Sequence, residues 1–297
     1  MPDSNPRIPF EMMTERKPIA PLNGKSLIVH VVLNVEYWPF DQAMPRTVMP
    51  APHGQSPVPD VGNFAWAEYG VRVGVPRILG ILSDRGLKAS AFINAYCCDI
   101  YPSASEAMLK AGWEFVGHGW IQRSLLREDD ETAVIQQCLE RLESFTGEKV
   151  RGWLGPGIGE TFDTPDVLKA QGIDWLADFY VDDLPCWMRT KHGPLVGLPY
   201  TVEFNDSPIT AVEKHSSDEM FRRLESTLPV FEREMEHNPK VLTIALHPHL
   251  TGPAHRAYYL EKMLDLLLAR DDTVFVTGSE ICDWFVDADG TNGAAVA

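Results

Sequence analysis

The chain repeats one unit: an apolar β-branched run, a loop, then a stretch with helical apolar spacing. "SLIVHVVLNVEYW" (26–38) reads as a buried strand, and "EYGVRVGVPRILGILSDRG" follows as a helix with a glycine stop. "KASAFIN" and "PSASEAMLKAGW" repeat the pair, then "EFVGH" and the acid-led "DDETAVIQQCLERLESFTG", closed by Gly147. After "RGWLGPG", "TPDVLKAQG" and "IDWLADFYVDD" come a helix at "SSDEMFRRLESTLPVFEREME" and a strand at "KVLTIALHPHL". A helix at "RAYYLEKMLDLLLAR" precedes the closing "TVFVTGSEICDWFV". Six or seven such alternations, with no break in composition, predict one α/β domain with a mostly parallel sheet, either a barrel or a doubly wound sheet. Residues 1–24 are proline-rich and read as an arm, 25–290 as the catalytic domain and 291–297 as a flexible tail.

In folds of this kind the chemistry gathers at the carboxyl ends of the strands. Polar residues stand there in this sequence. Asn34 and Glu36 close the first apolar run, Asn94 the second and His118 the third; Asp182 and Asp183 follow "DFYV", and His247 and His249 follow "VLTIAL". No G-x-S-x-G elbow, H-E-x-x-H pair or phosphate-binding glycine loop is present. What remains is carboxylates and imidazoles, the equipment of general acid–base hydrolysis with or without a metal.

Composition removes other classes. Twenty-six lysines and arginines against 42 acids leave a charge of −16, which repels nucleic-acid phosphates and anionic lipid. No apolar run approaches the ~20 residues of a membrane span. The five cysteines are scattered and odd in number, as expected of reduced thiols. "MPDSNPRIPFEMMTERKP" lacks the apolar core of a secretory signal, so a cytoplasmic location is expected.

Each candidate also has a plainer reading. His118 could be a hydrogen-bonded loop histidine, although its flanking glycines permit close backbone approach. Glu36 could be a paired structural acid, yet a carboxylate at the end of an apolar strand is costly unless partnered. Either of Asp182 and Asp183 could merely brace a turn. Arg256 fits an exposed helix start as well as a clamp on a carboxylate or imide oxygen. Trp120, Trp153 and Trp187 suit a flat pocket, but equally a core or rim. "PFDQAMPRTVMPAPHGQSPVPDVGN" is a loop of about 25 residues with six prolines, and its "MPRTVMPAPHGQSPVPD" part (44–60) is expected to fold over the pocket as a lid.

These residues, in this order, resemble the polysaccharide-deacetylase-like superfamily, whose members fold as a distorted, incomplete (β/α) barrel. The related stretches are "LNVEYW", "HGWIQ", "RGWLGPG", an intact "DDLP" at 182–185 and "IALHPHLTGPAHR". Within it, "LNVE", "EYGVRVGV", "GHGW", "DDLPCW", "LPYTVEFND" and "HPHLTGPAHR" resemble a branch that acts on small cyclic amides, including cofactor-independent allantoinases and cyclic imide hydrolases. The resemblance covers roughly residues 26–285.

The departures are informative. Asn34 stands where the deacetylases carry their catalytic aspartate, Glu36 replaces a metal-binding aspartate, and Gln122 replaces the second histidine of H-x-x-x-H. A firm zinc site wants three good donors plus an open position. Glu36 and His118 supply two, and neutral Gln122 is a poor third. No cofactor is therefore expected; weak or partial zinc held by Glu36, His118 and His247 stays open.

The resemblance thus implies a hydrolase opening an imide, hydantoin or ureide ring. Glu36 or His118 would take a proton from water, His247 would protonate the departing nitrogen, and Asp183 would hold a histidine in its tautomer. Asn34, Trp120, Gln122, Trp153, Pro156, Trp187 and Arg256 would surround the substrate. The alternatives are an N-deacetylase of an amino sugar or peptidoglycan fragment and a barrel that binds ligand without catalysis. The proline-rich arm and the resemblance also suggest a homo-oligomer, a tetramer, though an arm packed on its own barrel would read identically.

Overall fold

The computed structural model describes residues 4–50, 54 and 57–296. Nine strands form one sheet: β1 (Leu27–Val35), β2 (Ser90–Ile93), β3 (Glu114–Gly117), β4 (Gly152–Trp153), β5 (Trp175–Leu176), β6 (Cys186–Met188), β7 (Leu195–Gly197), β8 (Lys240–Leu246) and β9 (Thr273–Phe275). Their order is β6-β7-β5-β4-β3-β2-β1-β8, with β9 paired to β1 over Leu27–Val29. All pairs are parallel except the β6–β7 hairpin.

The sheet curls but does not fully close. Past β7 the chain runs beside β8, joined to it by the Asn205–Ala245 bridge and by the Thr243 hydroxyl, which donates to the Pro199 carbonyl at 2.6 Å. This is the distorted, incomplete barrel, in a single domain. The last helix, Gly278–Asp289, packs Ile281, Cys282, Trp284 and Phe285 into the inner cluster and so closes the end of the curl opposite the rim.

Strand periodicity explains the two layers of core. Ile28, Val32, Phe92, Val116, Trp175, Val196, Val241 and Ala245 fill the barrel interior. Their strand neighbours Leu27, Val29, Leu33, Ala91, Phe115, Trp153, Leu242 and Leu246 pack outward against helices such as Glu131–Thr146 and Ala254–Leu268. Two polar interior positions are satisfied locally. His30, uncharged because burial lowers its pKa to about 3, pairs with the Ser90 hydroxyl at 2.8 Å. Glu114 accepts from Ser90, Gly278 and Ser279. Both lie below the rim, where they brace the barrel floor.

The helix expected over "EYGVRVGVPRILG" forms, with one modification. Val61–Tyr69 runs into a π-turn at Gly70–Gly74 before Val75–Ser83 resumes. The wide turn lets Gly70 and Gly74 sit directly on the backbone of the short helix Pro248–Thr251. A β-carbon at Gly74 would fall inside van der Waals contact of the Pro248 carbonyl oxygen, and one at Gly70 would overlap His249. The two glycines therefore seat the segment that carries His247.

The arm packs on its own barrel. Arg7 pairs with Asp166 at 2.7 Å, Arg16 with Asp182 at 3.0 Å, Ile8 is buried, and the Ala20 carbonyl accepts from the Trp284 indole at 2.9 Å. The stretch read as a flexible tail is seated as well: the last helix ends at Gly290, and Val296 is buried. All five cysteines are free thiols, four of them buried. Among the described residues no helix is long and apolar enough to cross a membrane.

Candidate active site

The interior register of three strands runs past their ends to place the reactive groups. On β1 the inward positions are 28, 30, 32 and 34, so the next inward residue is Glu36. On β3 they are Glu114 and Val116, then His118; on β8 they are Val241, Thr243 and Ala245, then His247. The three side chains meet at the barrel mouth. Glu36 Oε1 lies 3.7 Å from His118 Nε2 and 3.6 Å from His247 Nε2. Their side chains are only 8%, 3% and 11% exposed.

Each member is oriented by its free atom. The Trp38 indole donates to Glu36 Oε2 at 2.8 Å, which turns Oε1 toward the imidazoles. His118 Nδ1 sits 2.7 Å from the Leu154 carbonyl. A carbonyl only accepts, so Nδ1 carries the proton and, in the neutral ring, the Nε2 lone pair faces Glu36. His247 Nδ1 donates to Asp206 Oδ1 at 2.7 Å, while the His247 backbone N–H and the Thr251 hydroxyl donate to Asp206 Oδ2 at 2.7 and 2.6 Å.

Electrostatics assign the protons. Burial alone would drive His247 toward its neutral form, but Asp206 and then Glu36 outweigh it and push the imidazole up to about 9. It is an imidazolium at neutral pH. Glu36 is likewise penalised by burial, and the two facing imidazoles overturn that penalty, holding its carboxyl well below the usual range. The mouth thus holds a carboxylate between the charged His247 imidazole and Nε2 of His118. His249, buried and carrying the added repulsion of His247, is lowered to about 4 and stays neutral. It packs edge-on to Trp66, at 4.5 Å between ring centroids, and to Trp38 at 5.2 Å, forming an aromatic wall beside His247.

Several expected positions differ. Asp183 is not at the mouth. Its carboxylate pairs at 3.2 Å with Lys240, the first residue of β8, whereas His247 follows the last. Seven residues at ~3.3 Å per residue separate the two ends by about 23 Å. "DFYV" is the reason: it is not a strand, because β5 ends at Leu176 and "DDLP" returns along the barrel wall. The histidine's carboxylate partner is Asp206 instead, which ends "LPYTVEFND". Trp153 is fully buried on the outer face, where its ring fills the space beside Gly117, so strand parity removes it from the pocket. Trp187, on edge strand β6, donates to Asp289 at 2.8 Å and packs on Phe285. It lines a cavity of about 680 Å³ shared with arm residues such as Arg16 and not with the mouth.

The other expected residues make contacts of their own on the neighbouring strand ends and loops. Asn34 donates to the Tyr200 hydroxyl at 2.8 Å and the Leu246 carbonyl at 3.1 Å, which occupies it as a brace between β1 and β8. Gln122 accepts from Asn94 at 3.3 Å, and Asn94 also donates to the His118 carbonyl and accepts from the Tyr37 N–H at 2.9 Å. One asparagine thus stitches the loops after β1, β2 and β3. Trp120 packs against Tyr96, and Pro156 fills the space beside Gly119. Arg256 donates to the Leu250 carbonyl at 3.0 Å and, with Asp206 and Thr251, lines a small hollow of about 20 Å³ behind the His247 partner.

A metal fits this donor set poorly. Gln122, the weakest donor of the set, is committed to Asn94 at 3.3 Å. Among the described residues no set of three or more His, Cys, Asp or Glu side chains is arranged to hold a metal ion.

Residues 39–50 run from the end of β1 past Ser207 to Asn63. Arg46 bonds the Ser207 hydroxyl, next to Asp206, and the Val48 and Met49 N–H groups donate to Asn63 at 2.8 and 3.0 Å. Residues 51–53, 55 and 56 of the expected lid lie outside the described residues. A cavity of about 760 Å³ opens on the flank, lined by Tyr37, Phe40, Phe64, Val71 and Tyr101 among others, but not by the three reactive groups.

The rim of this incomplete parallel barrel holds an acid–imidazole cluster at the carboxyl ends of the strands. Residues 67–176 match the polysaccharide deacetylase family. A Schizosaccharomyces pombe protein named as a polysaccharide deacetylase is 25% identical over 253 residues, 79% of this chain and 78% of that one. The crystal structure of a Pseudomonas aeruginosa PAO1 protein, titled a probable polysaccharide deacetylase, superposes with a TM-score of 0.79 at 25% identity, covering 91% of this chain and 94% of that one. PuuE allantoinase superposes equally well, with a TM-score of 0.79 at 24% identity over 92% and 94% of the two chains.

Proposed function

We propose that the protein is a C–N hydrolase that opens a small cyclic amide, such as an imide, hydantoin or ureide ring. One observation carries this reading: Glu36 Oε1 faces His118 Nε2 and His247 Nε2 at 3.7 and 3.6 Å, with His247 held charged by Asp206. Such a set offers a base and an acid on opposite sides of one carboxylate. His118 Nε2 removes a proton from water as its oxygen bonds to the ring carbonyl carbon. Glu36, kept ionised, orients that water and stabilises the imidazolium formed on His118. As the C–N bond breaks, the His247 Nε2–H passes its proton to the departing nitrogen. The products are an amide or ureide nitrogen and a carboxylic acid on one opened chain, and the site resets when His118 gives up its proton to solvent and His247 takes one back.

The nitrogen expelled from an imide carbonyl departs as an amidate, stabilised by its remaining acyl group, far more readily than an amine nitrogen leaves a simple amide. The trio is nearly buried, so substrate entry needs an opening of the mouth, and its closure would exclude bulk water. The likeness to PuuE allantoinase supports the substrate class at the level of the fold; the names of the S. pombe and P. aeruginosa proteins favour the deacetylase instead. Location in the cytoplasm and assembly as a homo-oligomer remain part of the proposal.

The test is a panel of succinimide, phthalimide, hydantoin and allantoin, assayed with and without a chelator beside an N-acetylated oligosaccharide. Ring opening that survives chelation is expected. Acetate release in its place overturns the substrate class. Activity lost on chelation and restored by zinc overturns the metal-free chemistry.

A further inference from the structure

His118 is set by a carbonyl, and the other end of that same peptide bond is held by a buried acid. The Leu154 carbonyl accepts from His118 Nδ1 at 2.7 Å. The Gly155 N–H, across the peptide bond, donates to both oxygens of Asp178, at 3.0 and 2.9 Å. Asp178 lies just past β5 and is 7% exposed. The geometry points to Asp178 as a positioning residue for His118, acting through the Leu154–Gly155 peptide to fix the Nδ1–H tautomer and strengthen Nε2 as a base.

The physical route is amide resonance. An anion at the N–H end of a peptide group draws its electrons toward the carbonyl oxygen, making that oxygen a better acceptor. A better acceptor at Nδ1–H raises electron density at Nε2, as a directly bonded carboxylate does in other histidine sites. Here one peptide group is inserted between acid and imidazole. His247 has its acid in direct contact and is driven to the charged form; His118 has its acid one peptide away. The two histidines are thereby set for opposite tasks.

A second buried acid supports the arrangement. Glu160 lies against Asp178, and its Oε1 is buried with no hydrogen-bond partner among the described residues. Burial, followed by the neighbouring Asp178, pushes Glu160 up to about 10, so Glu160 carries the proton the two acids share. Asp178 is raised by burial, while Glu160 and the Gly155 N–H act to keep it ionised. The loop that returns Glu160 passes through Gly157 at φ 66° and Ile158 at φ 55°. A β-branched residue in the left-handed region is costly and persists only where surrounding structure enforces it.

The assignment of His118 as the base rests on the reaction proposed above; the tautomer does not, so the test reads the resting protein. In protein labelled with ¹⁵N-histidine, long-range ¹H–¹⁵N spectra distinguish Nδ1–H from Nε2–H, and His118→Gln identifies the signal among nine histidines. The wild type is expected to be Nδ1–H. Asp178→Asn, which keeps an acceptor for the Gly155 N–H but removes the charge, is expected to mix the tautomers and to speed solvent exchange of the Nδ1 proton at least tenfold. Asp178→Ser is a second uncharged variant should the first not fold, and Glu160→Gln, which keeps a donor to an ionised Asp178, is expected to leave the signal in place.

An Nε2–H wild type, or an unchanged His118 signal in a folded, uncharged Asp178 variant, overturns the proposal. With a ring substrate, the uncharged variants are expected to lose about tenfold in kcat with KM little changed. Failure of the panel to turn over with the tautomer result intact would instead remove the reaction and leave this device standing.

Discussion

Replacing Asp206 by asparagine isolates the charge that prepares His247. The wild-type imidazole is displaced from 6.5 to about 9, a preference for the charged ring of about 3 kcal/mol at ~1.4 kcal/mol per pKa unit. Burial opposes that displacement, so Asp206 and Glu36 together supply more than the net figure. Asparagine can still accept from Nδ1, but its amide then faces the His247 N–H, donor against donor. With burial unopposed on that side, the imidazole should fall to about 6.5 or lower. At pH 8 about nine-tenths of wild-type His247 carries its proton; at a pKa of about 6.5 about 3% would, a loss near 30-fold in the competent acid.

The assay is a pH profile of kcat for whichever ring the panel identifies, with His247 titrated by NMR in the resting protein. The alkaline limb should move from about 9 to about 6.5 or below, and activity at pH 8 should drop at least 30-fold. Some of that activity should return below pH 6. Stability should also fall, by about 2–4 kcal/mol in urea, because the backbone N–H and Thr251 hydroxyl lose a charged acceptor in a buried place. If His247 in a folded Asp206→Asn protein still titrates near 9, the carboxylate is not what charges it, and the pairing with Asp206 no longer explains how His247 could act as the acid.

Three further outcomes follow from the same geometry. Gly74→Ala drives a methyl into the Pro248 carbonyl and should cost about 1–3 kcal/mol in urea unfolding, with kcat falling because Pro248 adjoins His247; unchanged stability would mean the helices do not meet as described. Asp183→Asn should leave turnover within about twofold, since its partner is Lys240 at the far end of the barrel; a large kcat loss would return Asp183 to the mouth. Stability should depend on pH with two signs. His247 is raised in the fold, so its contribution is complete below about 6.5 and is lost as pH rises through about 9, whereas Glu36 is lowered, so its contribution is present above its ordinary value and is lost as pH falls through the depressed one. Glu36→Gln should remove the acid-side loss, seen as a flatter urea midpoint below pH 4.

The parallel barrel was legible because apolar runs and amphipathic stretches alternate with so few exceptions. Glu36, His118 and His247 were legible for a related reason: each is the next inward position after a run whose parity the sequence displays. Where a run is short, that logic weakens. β4 and β5 contribute two residues each, too few to reveal which neighbour faces in, so Trp153 read as a pocket residue although it packs outward. "DFYV" has strand composition without a strand's partners, and Asp183 was misplaced with it.

Asp206 was hidden differently. It follows no apolar run; a turn brings it to His247 from the segment that closes the barrel beside β8, a contact between residues 41 apart. "LPYTVEFND" could be recognised as a motif, but no periodicity identifies which of its acids turns inward. The glycines of "EYGVRVGV" carried a signal of another kind. Their spacing of four suits a close backbone approach, yet only the fold identifies what approaches: the short helix after His247. The acid–base pair at the mouth therefore depends on contacts of two classes. Strand parity delivers the three reactive groups, while the charge on His247 and the seat of its helix come from loops whose partners are distant in sequence. A chain could keep every rim residue and lose the site by losing Asp206 or Gly74, which is why those two substitutions probe the reading more sharply than removal of the histidines themselves.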